Sequence, residues 1–353
     1  NQVMTLPLGP LTLSKPLLLW INEGLMTVFF LLVGLEIKRE LVEGELNSIS
    51  KALLPAIAAL GGMIVPALFF VLLNHHDAVA MRGWAIPVAT DIAFSLGVLA
   101  LVGSGLPSSL KVFLTALAIF DDLAAVMIIA VYYTDHISTG FLLIALMLCL
   151  VLLVLNRMRV RHLSPYVLVS MVIWFCVLKS GVHATLTGII LAMALPLNLT
   201  KPNKKKSISP AKDLEHRLHP WVAFFVVPVF AFANSGVSFI GVHINHFITP
   251  LTLGIAGGLF FGKQIGIWLF SMVAVKLGIA KKPRGLSPLG LYGISLLAGM
   301  GFTMSLFVGS LSFSGDMLIN LTPSVRVGVL SGSILSGLLG FIVLRYCRIK
   351  KEI

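Results

Sequence analysis

The sequence predicts an all-α integral membrane protein, a helical bundle with inverted-topology repeats and two discontinuous helices crossing mid-membrane. Three observations lead there. The composition is too apolar for water, apolar runs of membrane-spanning length recur along the chain, and two triplets of runs are each interrupted in their middle member. Of 353 residues, 58% are hydrophobic and 11% charged, with a mean hydropathy of +1.00, whereas about a quarter of a soluble domain is charged. Runs of about 17 to 25 apolar residues match a hydrocarbon layer roughly 30 Å thick.

About eleven spans are expected: 17–37, 52–73, 84–102, 108–132, 140–155, 165–179, 182–195, 221–235, 250–275, 288–312 and 325–346. When the ends of alternate spans are assigned to one side, that side takes all of the 26 Lys and Arg residues except five. Lys15, Arg82, Lys179 and Arg326 fall opposite, and Lys263 lies inside a span. Basic loops stay cytoplasmic, so this is the topology of a multi-pass membrane protein with a cytoplasmic C-terminus. The net charge of +12 therefore reports orientation in a bilayer and no nucleic-acid partner. An odd number of spans ending inside puts Asn1 to Lys15 outside, which predicts a further upstream helix and twelve in the full-length protein. Cys149, Cys176 and Cys347 lie in or at the ends of spans without metal or disulfide spacing. No cofactor is implied, and the absence of a GxxxxGK[ST] loop argues against ATP as the energy source.

Residues 1–353 read as one polytopic transporter domain, with 198–219 a basic cytoplasmic linker. The candidate repeats are 52–132 and 250–346, opposite in orientation. The middle span of the first holds Pro87, Thr90 and Asp91; that of the second holds Gly299, Gly301 and Thr303. Paired breaks at matching places in inverted repeats point to a transport site, because exposed backbone dipoles are tolerated only along a cavity. Ordinary Pro and Gly kinks are the plainer alternative. Gly254, Gly258, Gly262 and Gly266 form one small-residue ridge, and Gly328, Gly332, Ser336 and Gly340 another, along which helices can approach closely.

A charge at bilayer depth costs several kcal/mol and marks a polar pathway. Asp91, Asp121 and Asp122 are the acids placed deep by their apolar neighbours, with Lys263 the deep base. Asp121 and Asp122 are adjacent on a helix and point about 100° apart, so one can bind a cation while the other pairs with Lys263. Sodium prefers oxygen ligands, and Asp122, Asp91 and Thr90 supply them. A carboxylate needed by both ion and proton makes each displace the other, which is ion exchange without ATP. An architectural Asp–Lys pair is the alternative, and it leaves Asp91 beside a break unexplained. Near the cytoplasmic surface, Glu36, Arg39 and Glu40 share a helix face, while Glu215, His216 and His219 form a second local group. Together these can sense pH, or simply cap helix ends. His183 lies near the outer surface.

The segments VFFLLVGLEIKRE, GWAIPVATDIAFSLGVLALVG, ALAIFDDLAAV, LKSGVHATLTGI, SPAKDLEHRLHPWV, FAFANSGV and GMGFTMSLF cover nearly the whole chain. Together they resemble the NhaA family of bacterial sodium/proton antiporters. The resemblance implies a twelve-helix inner-membrane protein, commonly a homodimer, that exchanges two protons per sodium, accepts lithium and is activated as the cytoplasm turns alkaline. It implies Asp122 as the main ion- and proton-binding carboxylate and Asp121 as a second essential acid, paired with Lys263 when sodium is absent. Thr90 and Asp91 look like the unwound crossing, with Asp91 offsetting facing helix ends. Glu36, Arg39, Glu40, His183, Glu215, His216 and His219 match positions tied to pH response. Two segments depart from the family pattern: GKQ stands where GKP is expected, and Glu23 stands where Asp is familiar.

Rival classes lack their signatures. A sodium-coupled symporter needs an added polar cluster for an organic substrate, and an intramembrane aspartyl protease needs a GxGD-type segment. A passive channel is separated from an exchanger by counter-transport.

Overall fold

The computed structural model describes residues 3–8, 11–44, 46–103, 105–133, 138–197, 199–201, 204–235, 248–283, 285–313 and 316–352. In chain order its helices are α1 (Leu17–Val42), α2 (Ile49–Asn74), α3 (Ile92–Val102), α4 (Ser108–Tyr132), α5 (Thr139–Arg157), α6 (Leu163–Ser180), α7 (Leu186–Ala194), α8 (Pro210–Trp221), α9 (Val227–Ser235), α10 (Pro250–Gly257), α11 (Lys263–Lys276), α12 (Pro288–Leu297), α13 (Phe302–Ser312) and α14 (Asp316–Glu352). Two short antiparallel hairpins, β1 (Val3–Leu8) with β2 (Leu11–Pro16) and β3 (Leu199–Lys201) with β4 (Lys204–Ile208), are the strands among the described residues. The fold is that of an all-α membrane protein.

Nine helical stretches among the described residues are long and apolar enough to cross a membrane. The pair α12 and α13, bent by 46° at its break, makes a tenth. The remaining expected span, 182–195, is helical only over the 9 residues of α7, about 14 Å at roughly 1.5 Å per residue, too short to cross. On α5, Leu143, Leu146, Leu150 and Leu153 are exposed at helical spacing. Such a stripe is stable only against lipid tails or another apolar surface.

The chain divides into two compact units. The first comprises residues 1–44 and 129–234; α1 packs on α7 and α8, and α5 on α6. Leu35, Tyr166, Ile173 and Leu191 belong to its core. The second comprises residues 45–128 and 235–353, with a core that includes Leu54, Leu114, Ile267 and Leu344. In chain order it holds α2, two 3-10 turns leading to α3, and α4, then α10 running through a π-helical turn into α11, the bent pair α12 and α13, and α14.

The glycine ridges explain how closely these helices pack. A Cβ on Gly61 would lie 2.3 Å from the Gly266 carbonyl oxygen, and one on Gly266 2.1 Å from that of Gly61. Neither φ requires glycine, so the close approach of α2 to α11 does. That approach buries Lys263, which opens α11 behind a π-helical turn at Gly258–Gly262.

Candidate functional site

Each break begins with residues that cannot continue a helix. Ile86–Val88 is one 3-10 turn with Pro87 near its start; Ala89 is extended, and Asp91 follows as N-cap of α3, accepting from Phe94 N at 3.2 Å. In the second break, Gly299 has no room for a side chain, since a Cβ would sit 2.4 Å from the Leu259 carbonyl oxygen. Breaking a helix frees carbonyls on one side and amides on the other, and in a buried setting each must be met.

The two breaks meet one another's needs. Asp91 N donates to Met300 O at 2.7 Å, joining the unwound segments directly. The carbonyls freed at the end of α12 accept from Ser95 (Leu297 O, 2.9 Å) and Thr90 (Ala298 O, 2.8 Å). At the start of α13, Thr303 N donates to Asp91 Oδ2 at 3.0 Å, and the Thr303 hydroxyl donates to the same oxygen. Asp91 thus accepts from the first turns of α3 and α13, where helix dipoles favour negative charge. Ser333 on α14 completes the arrangement, accepting from Gly301 N and Phe302 N at 3.1 Å each. Ser305 donates to Ile86 O at 2.7 Å.

Next to this junction stands the ion pair. Lys263 Nζ donates to Asp121 Oδ2 and, at 2.6 Å, to Thr90 Oγ1; the Thr90 hydroxyl lies 2.5 Å from that same Asp121 oxygen. Lys263 is 0% exposed, Asp121 and Asp91 1%, and Asp122 2%. Asp121 Oδ1 has no hydrogen-bond partner among the described residues. Among the described residues of this unit, the buried carboxylates and ammonium are Asp91, Asp121, Asp122 and Lys263. Thr90 bonds to Asp121 and Lys263, and Asp91 to Thr303, so the two sequence-chosen oxygen donors each have bonds of their own. Among the described residues no group of three or more His, Cys, Asp or Glu is placed to hold a metal ion.

The surface residues chosen from sequence fall in the other unit. Arg39 Nε lies 3.0 Å from Glu215 Oε1 on α8, and Arg39 Nη2 lies 3.2 Å from Glu40 Oε1. Glu36 interacts electrostatically with Glu215, Arg39 and Glu40. His216 and His219 are exposed on α8. His183 stands apart from this group, with Nδ1 3.3 Å from Glu23 Oε1 and Nε2 3.0 Å from Tyr133 O. Glu23 also accepts from Ala184 N at 3.0 Å. Sequence reasoning passed over Glu23 as a deep acid, although it lies well inside α1 and is buried. It also missed Ser95, Ser305 and Ser333, whose only sequence signal is a hydroxyl inside an apolar run.

The family described as Na+/H+ antiporter 1 matches residues 1–344. A protein named Na(+)/H(+) antiporter NhaA from Rhodospirillum rubrum is 55% identical over 343 residues, covering 96% of this chain and 86% of its own length. Na(+)/H(+) antiporter NhaA 3 of Saccharophagus degradans is 52% identical over 344 residues, covering 97% and 86%. The Bordetella parapertussis Na(+)/H(+) antiporter NhaA is 54% identical over 335 residues, covering 95% and 83%. With its interlocked helix breaks, its buried Asp–Lys pair and relatives of this identity along nearly its whole length, the chain belongs to the NhaA family of Na+/H+ antiporters.

Proposed function

We propose that this protein is a secondary active transporter, not an enzyme, that exchanges cytoplasmic Na+ or Li+ for external protons. The observation that carries the reading is the charge imbalance of the buried site: Asp91, Asp121 and Asp122 against Lys263. Two facing helix N-termini offset about one charge, roughly half a unit each, and suit Asp91; Lys263 offsets Asp121. A proton or a sodium ion can then alternate on Asp122, the third buried carboxylate. Asp122 is the principal carrier and Asp121 the second, with Lys263 exchanging partners as sodium arrives. Sodium is held by one or two carboxylates with hydroxyl and backbone oxygens, as suits a hard cation that must also leave.

Two protons moving inward per sodium outward carry one net charge, so the membrane potential contributes about 2.3 kcal/mol per 100 mV to each cycle. Movement of the inverted repeats 52–132 and 250–346 about the two breaks would alternate access to the two faces. The Glu36, Arg39, Glu40, Glu215, His216 and His219 group, with His183 separately, would set the response to pH. The bias of basic residues to one face supports a cytoplasmic C-terminus, and the NhaA relationship supports a homodimer in the bacterial inner membrane.

The test is proton flux in proteoliposomes carrying a pH gradient, with sodium, lithium or potassium added. Collapse by sodium and lithium but not potassium is expected, and Asp122→Asn should abolish it while the protein remains folded. Retained sodium-dependent proton flux in that variant would overturn the assignment.

A further inference from the structure

The second unit holds a cavity of about 430 Å³ that the ion-exchange reading does not use. It is lined by Lys51, Lys281 and Lys282, and by the hydroxyl residues Ser50, Ser108 and Ser109; none of its described lining residues is acidic. Ser50 lies in the first turn of α2, and Ser108 and Ser109 open α4. The cavity thus brings together the N-terminal ends of two long helices, where unsatisfied amides and the macrodipole favour an anion. On α2 the N-cap residue, Ser48, makes no side-chain capping bond. Ser109 Oγ is also buried without a hydrogen-bond partner among the described residues. Between these polar groups, Val112 and Phe113 supply an apolar wall.

We infer that this cavity binds the phosphate headgroup of an anionic phospholipid, with its acyl chains running along the apolar wall. Depth favours a lipid over a free phosphate. Helices α2 and α4 have 26 and 25 residues, about 39 and 38 Å at roughly 1.5 Å per residue, against a hydrocarbon core of about 30 Å. Their first turns therefore lie at headgroup level, and Val112 and Phe113, about one helical turn further in, lie where acyl chains begin. A general scatter of basic residues on one membrane face would explain the lysines. It would not explain three serines, two helix ends and an apolar wall around one cavity whose described lining holds no carboxylate.

The experiment is native mass spectrometry of the full-length protein in neutral detergent, titrated with phosphatidylglycerol, with phosphatidylcholine as the zwitterionic comparison and inorganic phosphate as a competitor. One phosphatidylglycerol should bind preferentially, millimolar phosphate should not displace it, and the exposed double variant Lys281→Ser/Lys282→Ser should bind it about tenfold more weakly. Arg157→Ser/Arg159→Ser, which removes two basic residues assigned to the same face, should bind it normally. An unchanged affinity in the lysine variant, an equal loss in the arginine variant, or displacement by phosphate would each overturn the proposal. Unchanged melting temperatures of both variants without added lipid would exclude misfolding as the cause, and Val112→Asp offers an independent probe of the acyl wall, again expected to weaken phosphatidylglycerol binding.

Discussion

Neutralising Lys263 tests whether the buried pair behaves as a charge couple. Lys263 and Asp121 are closed to solvent and bonded to one another, so Lys263→Met leaves a carboxylate without its cation and Asp121→Asn leaves the reverse. Breaking a buried pair by removing one partner costs about 3–5 kcal/mol, while replacing both charges together is often close to neutral. The double variant should therefore lie near the unmodified protein, far from the roughly 6–10 kcal/mol that additivity demands. For 353 residues, an unfolding entropy of about 2.1 cal/mol/K per residue converts 3–5 kcal/mol to about 4–7 °C in Tm. Thermal unfolding of the purified protein in one detergent at fixed scan rate reads all four corners of the cycle, independently of transport. Additive losses, or a Lys263→Met variant with unaltered Tm, would refute the coupling.

Gly266→Ala should destabilise the protein by about 2 kcal/mol or more through overpacking of α2 against α11, whereas Gly97→Ala, whose Cβ meets nothing within 4 Å, should be neutral or slightly stabilising; equal melting temperatures for the two would contradict the close-approach argument. Ser333→Ala should leave the Gly301 and Phe302 amides unmet and cost about 2 kcal/mol or more. Ser333→Thr, which keeps the hydroxyl, should recover part of that loss, and an alanine variant as stable as the parent would show that the cap is dispensable. Arg39→Ala should change stability by less than about 1 kcal/mol, because the Arg39 side chain is 41% exposed and its ion pairs are solvent-screened. A large drop in Tm would contradict that estimate, and an altered pH profile without one would support a regulatory role.

What the sequence by itself determined follows from constraints that act along one dimension. A lipid core demands apolar runs of a given length, and loop charge is biased to one face. A deep carboxylate is too costly to be incidental. Those rules are enough to find the all-α membrane class and nearly all of the apolar helices, and to single out Asp91, Asp121, Asp122 and Lys263, which the fold buries. The NhaA resemblance comes from the motifs themselves, and the relatives bear it out. The same rules could not show that 182–195 holds only a short helix, because hydropathy does not register the turn at His183 to Thr185 that precedes α7.

Only the tertiary structure decided which groups meet. Residue spacing left either Asp121 or Asp122 as the partner of Lys263; helix rotation and depth chose Asp121, 142 positions away. The same long-range geometry placed Thr90 between that pair and the end of α12, set Ser333 over the start of α13, and joined Glu23 to His183. A broken helix announces in sequence that its backbone groups need partners. Which partners they find depends on the approach of helices distant in the chain, and that approach has no local signature.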